Sequence, residues 1–280
     1  MREFSGRVAV IATMHRKEQA IAPVLSPLGV TAQVPLSFDT DRFGTFTRDV
    51  PRIADQLATA RTKAQAALEL TGETLAIASE GSFGPHPQMP MLPCNRELVL
   101  LVDQELGIEV VGQALSTETN HRAKRVRTVT EALSFAHTVN FPSHALVVMP
   151  AAKGATTGIT KGITREAALE EAIALALTHS STGRVHVETD MRAMHNPSRM
   201  AVIAQATDDL MTTLQRRCPD CHCPGFSVAQ RRPGLPCELC HSPTLLTLSL
   251  RYQCQRCSAT QERYVEEKYA DPTHCPFCNP

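Results

Sequence analysis

Cys218-Pro-Asp-Cys221 opens a C-terminal segment in which the Cys-x-x-Cys spacing occurs four times. Between successive cysteine pairs lie 15, 13 and 17 residues. One such turn brings two thiolates to a metal ion, and two turns complete a tetrahedral shell of four sulfur ligands. The spacing therefore predicts two structural zinc ions. Their predicted ligands are Cys218, Cys221, Cys237, Cys240, Cys254, Cys257, Cys275 and Cys278.

The expected compartment favours metal binding over disulfide bonds. The first apolar stretch, residues 8–12, is too short for the core of a signal peptide, and no window approaches the ~20 apolar residues of a membrane span. We therefore expect a cytoplasmic protein with no membrane association. Thiols stay reduced in that compartment, so paired cysteines are metal ligands. An iron centre of rubredoxin type is the alternative to zinc.

The four cysteine pairs can combine in three ways, and the spacing favours sequential pairing. In that arrangement Cys218/Cys221 joins Cys237/Cys240, and Cys254/Cys257 joins Cys275/Cys278, so that each half of the segment forms one zinc ribbon. In the rival arrangement the two middle pairs join each other and the two outer pairs meet.

Composition changes near residues 216–217, which predicts an α/β domain over 1–216 and a double zinc-ribbon domain over 217–280. The second segment holds 7 Lys and Arg against 6 Asp and Glu. Eight thiolates with two Zn²⁺ would bring its net charge to about −3. Phosphate recognition needs a clustered positive surface. The charge balance thus disfavours nucleic acid as a partner without excluding it, and leaves a protein partner for the ribbons open.

The first segment alternates apolar strand-like runs with helical patterns. This alternation predicts a mostly parallel sheet with helices on both faces, and one antiparallel hairpin is inserted. Strands are predicted near residues 7–13, 31–36, 74–79, 97–102, 108–114, 145–149 and 184–187, and helices near 17–28, 51–70, 128–139, 165–178 and 199–214.

Polar loops follow several of these strands, and such sheets hold their ligands beyond the carboxyl ends of the strands. The loops predict a concave charged site. Its predicted catalytic carboxylates are Asp39, Asp41, Glu80, Glu188 and Asp190. Its predicted substrate-binding residues are Lys17, His86, Lys153, Thr157, Lys161, Arg192, Asn196 and Arg199.

Two of these loops carry the chemical argument. The segment 153–162 holds three glycines, three threonines and two lysines ahead of a helix, which favours an anion such as phosphate; a flexible surface loop is the alternative. Glu188 and Asp190 emerge together from a buried strand and suit a divalent cation or acid–base chemistry. A salt-bridge network with Arg192 and Arg199 is the alternative there. The basic run 121–127 is interpreted as a solvated loop.

Three long motifs resemble an uncharacterised bacterial family, a domain of unknown function. They are Asp-Thr-Asp-Arg-Phe-Gly-Thr-Phe at 39–46, Ser-Glu-Gly-Ser-Phe-Gly-Pro-His-Pro at 79–87 and Glu-Thr-Asp-Met-Arg-Ala at 188–193. The resemblance implies an α/β domain followed by a cysteine-rich tail. It implies no activity.

Two hypotheses for function follow. The first is a hydrolase or transferase that acts on a small anionic ligand, such as a phosphorylated one, in the α/β domain. The second is a non-catalytic ligand sensor or adaptor whose zinc ribbons bind a protein or nucleic acid. No Gly-x-Ser-x-Gly elbow or Cys-His nucleophile pattern decides between them, so whether the chain is an enzyme stays open.

Overall fold

The computed structural model describes residues 1–43, 54–151 and 157–280, and these residues form three sheets and five α-helices. The helices are α1 (Glu18–Leu25), α2 (Gln56–Thr71), α3 (Val129–His137), α4 (Glu166–Thr178) and α5 (Pro197–Gln215). The strands are β1 (Val8–Ala12), β2 (Thr31–Gln33), β3 (Leu75–Pro85), β4 (Pro93–Asp103), β5 (Ile108–Ser116), β6 (Ala123–Val126), β7 (Leu146–Pro150), β8 (Thr160–Ile163), β9 (Val185–Thr189), β10 (Ser227–Pro233), β11 (Thr247–Gln253) and β12 (Thr260–Tyr264).

The first sheet is mixed, so the prediction of a mostly parallel sheet was wrong. Its order is β2-β1-β3-β4-β5, with parallel pairs among β2, β1 and β3 and antiparallel pairs from β3 to β5. One reason is that β7 and β9, which a single parallel sheet would have included, lie in another sheet. A second reason is that residues 80–85, which the glycines and prolines marked as a loop, are part of a strand. These residues continue β3 and pair in register as far as Pro85 opposite Pro93. Two of the four strand pairs in this sheet are therefore antiparallel.

Helices cover both faces of this sheet. One face packs on α2, whose buried alanines contact residues such as Val10 and Leu100. The opposite face packs on α1 and α5 through residues such as Ile77 and Ile203. Helix α2 begins at Gln56 because the Asp55 side chain accepts a hydrogen bond from Ala58 N–H at 2.8 Å. The earlier part of the predicted helix, residues 51–53, lies outside the described residues.

The second sheet is fully antiparallel and has the order β6-β9-β7-β8. Helices α3 and α4 cover one of its faces with residues such as Phe135 and Ile173. Strands β6 and β8 were not predicted, because β6 comes from the basic run 121–127 and β8 from the glycine-rich segment 153–162. The pairing of each with an apolar neighbouring strand overrides its polar composition.

The third sheet, β10-β11-β12, is an antiparallel ribbon. Its Phe226 and Cys254 belong to the same hydrophobic cluster as Val110 and Leu214 of the first sheet and α5. The Gln255 side chain accepts from the Glu109 N–H at 2.8 Å and donates to the Glu109 C=O, which occupies backbone groups of the edge strand β5. Within the described residues, no helix is long and apolar enough to cross a membrane.

Candidate functional site

The eight paired cysteines form two clusters of four, and the clusters interleave along the chain. The first cluster joins Cys218 and Cys221 to Cys254 and Cys257. The second joins Cys237 and Cys240 to Cys275 and Cys278. Both the sequential pairing and the rival pairing of middle with middle were therefore wrong.

The antiparallel register of the ribbon explains the interleaving. Ser227 at the start of β10 pairs with Gln253 at the end of β11, so the knuckles before β10 and after β11 meet at one end of the ribbon. Strand β12 ends opposite Ser249, near the start of β11, which brings the other two knuckles to the opposite end. Sequential pairing would require cysteines at opposite ends of β10 to bind one metal ion, although the seven residues of that strand span about 20 Å.

The geometry of both clusters fits a tetrahedral metal site. Sulfur–sulfur distances are 3.6 Å between Cys218 and Cys257 in the first cluster and 3.5 Å between Cys240 and Cys275 in the second. A tetrahedron with Zn–S bonds of ~2.3 Å has sulfur–sulfur edges of about 3.8 Å, whereas a disulfide needs about 2.05 Å. The two clusters could therefore hold metal ions such as zinc.

Each knuckle is closed by the same backbone hydrogen bond, from the residue after its second cysteine to the carbonyl of its first. Three of the four donors, His222, His241 and Ser258, adopt left-handed backbone conformations, with φ of 57°, 57° and 61°. Cys94 and Cys223 lie outside both clusters. Burial is the main cause that raises the pKa of the Cys223 thiol to about 11, which keeps it protonated.

In the α/β part, five ionisable side chains are buried together and are called the buried charge cluster below. Each is less than 8% exposed. Glu97 and Arg199 form an ion pair with Nε–Oε1 at 2.8 Å, and Lys63 forms an ion pair with Glu80. The charges of these four side chains all affect the pKa of the fifth member, Lys17. The cluster consists of Lys17, Lys63, Glu80, Glu97 and Arg199.

Four elements and one loop supply the cluster, with Lys63 on α2. Lys17 follows β1, Glu80 and Glu97 lie on the neighbouring strands β3 and β4, and Arg199 lies in the first turn of α5. Gly81 allows this approach, since a Cβ there would lie 2.3 Å from a Glu97 oxygen and 2.6 Å from an Arg199 nitrogen.

Lys17 is the member with a shifted protonation equilibrium. Its Nζ donates to the Ser79 carbonyl at 2.9 Å and contacts the Ser79 hydroxyl at 3.1 Å. Burial is the largest cause that lowers the pKa of Lys17 from 10.5 to about 7, and the positive charge of Arg199 adds to it. An amine with this pKa exists in both protonation states near neutral pH, as acid–base chemistry requires.

A cavity of about 270 Å³ lies beside the cluster, on the face of the second sheet opposite α3 and α4. Met191 lines the cavity, and its carbonyl accepts from Arg199 at 2.5 Å. The Phe83 ring lies 5.5 Å from the Arg199 guanidinium and 5.4 Å from the ring of His121, which also lines the cavity. Cavity and cluster therefore share a wall.

Ionisable side chains line this cavity in pairs. Asp190 holds Arg192 through Oδ2–Nη2 at 2.6 Å and also accepts the Gly162 N–H at 3.1 Å. His186 and Glu188, on the same face of β9, are paired with Nε2–Oε2 at 3.0 Å. Of the predicted catalytic and substrate-binding residues, the structure thus brings Glu188, Asp190 and Arg192 to one cavity.

The pKa of His195 is affected both by Arg192 and by Arg16, which lies in the loop after β1. Burial lowers the pKa of His195, and the positive charges of Arg192 and Arg16 act in the same direction against Asp190. A Cβ on Gly162 would lie 3.0 Å from a ring nitrogen of His195. Residues that are distant in sequence therefore lie near one another here.

Other predicted residues lie elsewhere or serve the fold. His86 shapes the β3–β4 turn by accepting from Gln88 and Met89 N–H at 3.2 Å, about 20 Å along β3 from Glu80. Asn196 caps α5 by accepting the Arg199 N–H at 2.9 Å. Asp39, Thr157 and Lys161 are exposed.

Two of the predicted site residues fall outside what the structure describes. Lys153 lies outside the described residues, and so does the side chain of Asp41, whose backbone begins a short 3-10 turn. The segment 153–162 does not lead directly into a helix, because β8 intervenes, and the Gly162 amide is bound to Asp190. The helix-dipole argument for phosphate binding at that segment was therefore wrong.

Sequence reasoning missed four residues of this region: Lys63, Glu97, His186 and Arg122. A signal existed for Glu97, because it begins an otherwise apolar predicted strand, where a charge must be paired if it is buried. His186 and Glu188 are two residues apart on one strand and so face the same side, which the period of a strand could have shown. Lys63 in an alanine-rich helix carried no such signal.

A search of curated proteins and a search of solved structures each found no match to the chain. The family model described as domain of unknown function DUF6671 matches residues 63–280, which is more than half of the chain and includes the cavity and all eight clustered cysteines. The chain belongs to the DUF6671 family of proteins with a domain of unknown function.

Proposed function

We propose that the α/β part is a hydrolase or transferase that binds a small anionic ligand in the cavity beside β9. One observation carries the proposal: two arginines and an imidazole–carboxylate pair line the same cavity. A planar guanidinium recognises a carboxylate or phosphate through paired hydrogen bonds. An imidazole held by a carboxylate is suited to proton transfer.

The two arginines differ in how firmly their side chains are held. Arg192 is oriented by Asp190 and is partly buried. Arg122 is exposed at the cavity lip, and its backbone is fixed by the Thr189 hydroxyl at 3.2 Å. Within the described part of the chain, no carboxylate forms an ion pair with the Arg122 guanidinium. Arg122 is therefore the cation that we expect to contact an anion first.

The buried charge cluster supports the same ligand class. Its three cations exceed its two carboxylates, so the region behind the cavity carries one net positive charge when Lys17 is protonated. A positive charge in a region of low dielectric constant attracts an anion more strongly than a lysine on the surface does. We propose His186 as the proton-transfer group, oriented by Glu188.

We further propose that both cysteine clusters hold Zn²⁺ and that the metal is structural. Four cysteines fill all four positions of a tetrahedral shell, which leaves no position for substrate. A divalent cation in the cavity has less support, because both oxygens of Asp190 are bound to Arg192 or Gly162. The division into residues 1–216 and 217–280 stays a proposal, with the first metal cluster as part of their shared interface.

The test is calorimetric titration of wild type with inorganic phosphate, nucleotides and sugar phosphates. Arg122→Ala is compared with Arg127→Ala, a matched control from the same basic run that does not line the cavity. We expect at least one anion to bind wild type and Arg127→Ala equally and Arg122→Ala about tenfold more weakly. Absence of binding by any anion, or equal loss in both variants, overturns the proposal.

A non-catalytic sensor or adaptor is the second candidate, favoured by the exposed apolar side chains of the second metal cluster. Turnover of the bound anion separates the two candidates. The enzyme proposal requires product formation that His186→Asn abolishes while anion affinity is retained, whereas a sensor binds the anion and releases it unchanged.

A further inference from the structure

The second metal cluster lies at the end of the ribbon away from the α/β core. Unlike Cys218 and Cys254, Cys237 and Cys275 are buried without joining the large hydrophobic cluster. The backbone around it bonds within the ribbon, since Glu238 N–H donates to the Ala270 carbonyl at 3.0 Å. This end of the ribbon is therefore held by its own metal site.

The two clusters use the same knuckle but carry opposite side chains at its third position. In the cluster that packs on the core, this position holds Asp220 and Arg256. In the outer cluster it holds Leu239 and Phe277. Solvation alone predicts the reverse, with polar residues on the freer knuckle. The apolar residues at the outer end therefore need an explanation beyond folding.

These apolar side chains are largely solvent-exposed. Leu239 is 70% and Phe277 71% exposed, and each is next to a ligand of the outer cluster. Leu245 is 87% and Tyr269 51% exposed, the latter in contact with the ring of His241 at 5.5 Å. Concentrated exposed apolar residues of this kind mark interaction sites more often than scattered single ones do. We call these four residues the outer knuckle surface.

Acidic side chains outnumber basic ones in the two chain segments that carry the outer knuckle surface. Residues 236–246 and 265–280 hold four carboxylates and one lysine, a net charge of −3, whereas the whole chain has zero net charge. Four thiolates on one divalent ion would add about two negative charges. All four carboxylates are exposed. They are Glu238, Glu266, Glu267 and Asp271.

The charge selects among the partners that could cover an apolar surface. A nucleic acid would bring phosphates against carboxylates, which is repulsive. A second copy bound through the same surface would oppose acidic segments to acidic segments. A polypeptide rich in Lys and Arg, with apolar side chains among them, matches both the apolar surface and the acidic segments.

We propose that the outer knuckle surface docks a basic polypeptide segment that inserts apolar side chains between Leu239 and Phe277. The site is separate from the anion cavity, so it stands whether or not the α/β part is an enzyme. It makes the ribbon a recruitment module attached to the core by the first metal cluster.

The test begins with a random-peptide display library selected on the metal-loaded full chain. A variant with Leu239→Ser and Phe277→Ser serves for counter-selection. We expect the enriched sequences to combine Lys or Arg with large apolar residues. Enrichment of acidic sequences, or no enrichment over the counter-selected pool, overturns the proposal.

A selected peptide is then titrated by fluorescence anisotropy. We expect binding to wild type and to the control Leu70→Ser, an exposed leucine on α2, and at least tenfold weaker binding to Leu239→Ser/Phe277→Ser. Metal content and circular dichroism confirm that the double variant is folded. Equal affinity for all three proteins refutes the site. Concentration-dependent dimerisation that the double variant loses would assign the surface to a second copy and also refute it.

Discussion

Replacing Lys17 by methionine should remove a pH dependence of stability that the buried amine creates. In the folded protein the pKa of Lys17 lies at about 7, against 10.5 for an exposed lysine. Between these values the unfolded chain binds a proton that the folded chain does not, so stability rises with pH across this window. Below about pH 7 both states are protonated, and the cost of the buried charge is constant.

The magnitude follows from the size of the pKa difference. A fall from 10.5 to about 7, at ~1.4 kcal/mol per pKa unit, amounts to a cost of about 5 kcal/mol when the amine is charged. Between about pH 7 and pH 9 the wild type should recover roughly 2 kcal/mol of this cost. Methionine fills a similar volume without a charge, so the variant should lack this gain.

The assay is urea unfolding followed by far-ultraviolet circular dichroism, which reports on the helices, all of which precede Arg216. Wild type, Lys17→Met and the control Lys124→Met, an exposed lysine of β6, are compared at both pH values. Other titrating groups cancel in the difference between wild type and variant. We expect that difference to change by roughly 2 kcal/mol for Lys17→Met and by less than about 0.5 kcal/mol for the control. A pH-independent difference for Lys17→Met would refute the reasoning, because it would mean that Lys17 keeps its ordinary pKa.

Three further predictions concern packing, charge and metal. Gly81→Ala should destabilise the chain by about 2–3 kcal/mol, because its Cβ would overlap Glu97 and Arg199, whereas Gly84→Ala, with open space around its Cβ, should be nearly neutral; urea unfolding measures both. Glu97→Leu and Arg199→Met should each cost about 3–5 kcal/mol because each leaves a buried charge unpaired, and the double variant should regain most of this loss in a double-mutant cycle. Cys218→Ser should unfold the helices at lower urea concentration because its cluster packs in the core, whereas Cys275→Ser should change their unfolding midpoint by the equivalent of less than about 1 kcal/mol. Similar midpoints for the two cysteine variants would contradict the docking of only one cluster on the core.

Local patterns predicted much of the fold. Apolar runs located strands such as β1 and β7, and Thr128, which accepts the Glu131 N–H at 3.2 Å, marked the start of α3. The polar strands β6 and β8 escaped prediction because their pairing with β9 and β7 decides their conformation. The sequence pattern around Gly81 and Gly84 indicated a loop, yet register with β4 made it a strand.

The candidate site was predictable only where residues share one chain segment. Glu188, Asp190 and Arg192 are neighbours in sequence, and the structure places all three at one cavity. The Glu97–Arg199 pair joins residues that are distant along the chain, so no local pattern could indicate it. The cysteine spacing predicted the two four-cysteine clusters, but their pairing depends on the ends at which β10, β11 and β12 meet.

NMR of the protein loaded with NMR-active cadmium tests the interleaved assignment of the cysteines most directly. Scalar coupling between each cadmium nucleus and the Hβ protons of its ligands identifies which cysteines share a metal. We predict two cadmium signals, one coupled to Cys218, Cys221, Cys254 and Cys257 and the other to Cys237, Cys240, Cys275 and Cys278. A cadmium nucleus coupled to both Cys218 and Cys237 would contradict this assignment, and with it the register of the ribbon and the separation of the outer knuckle surface from the core.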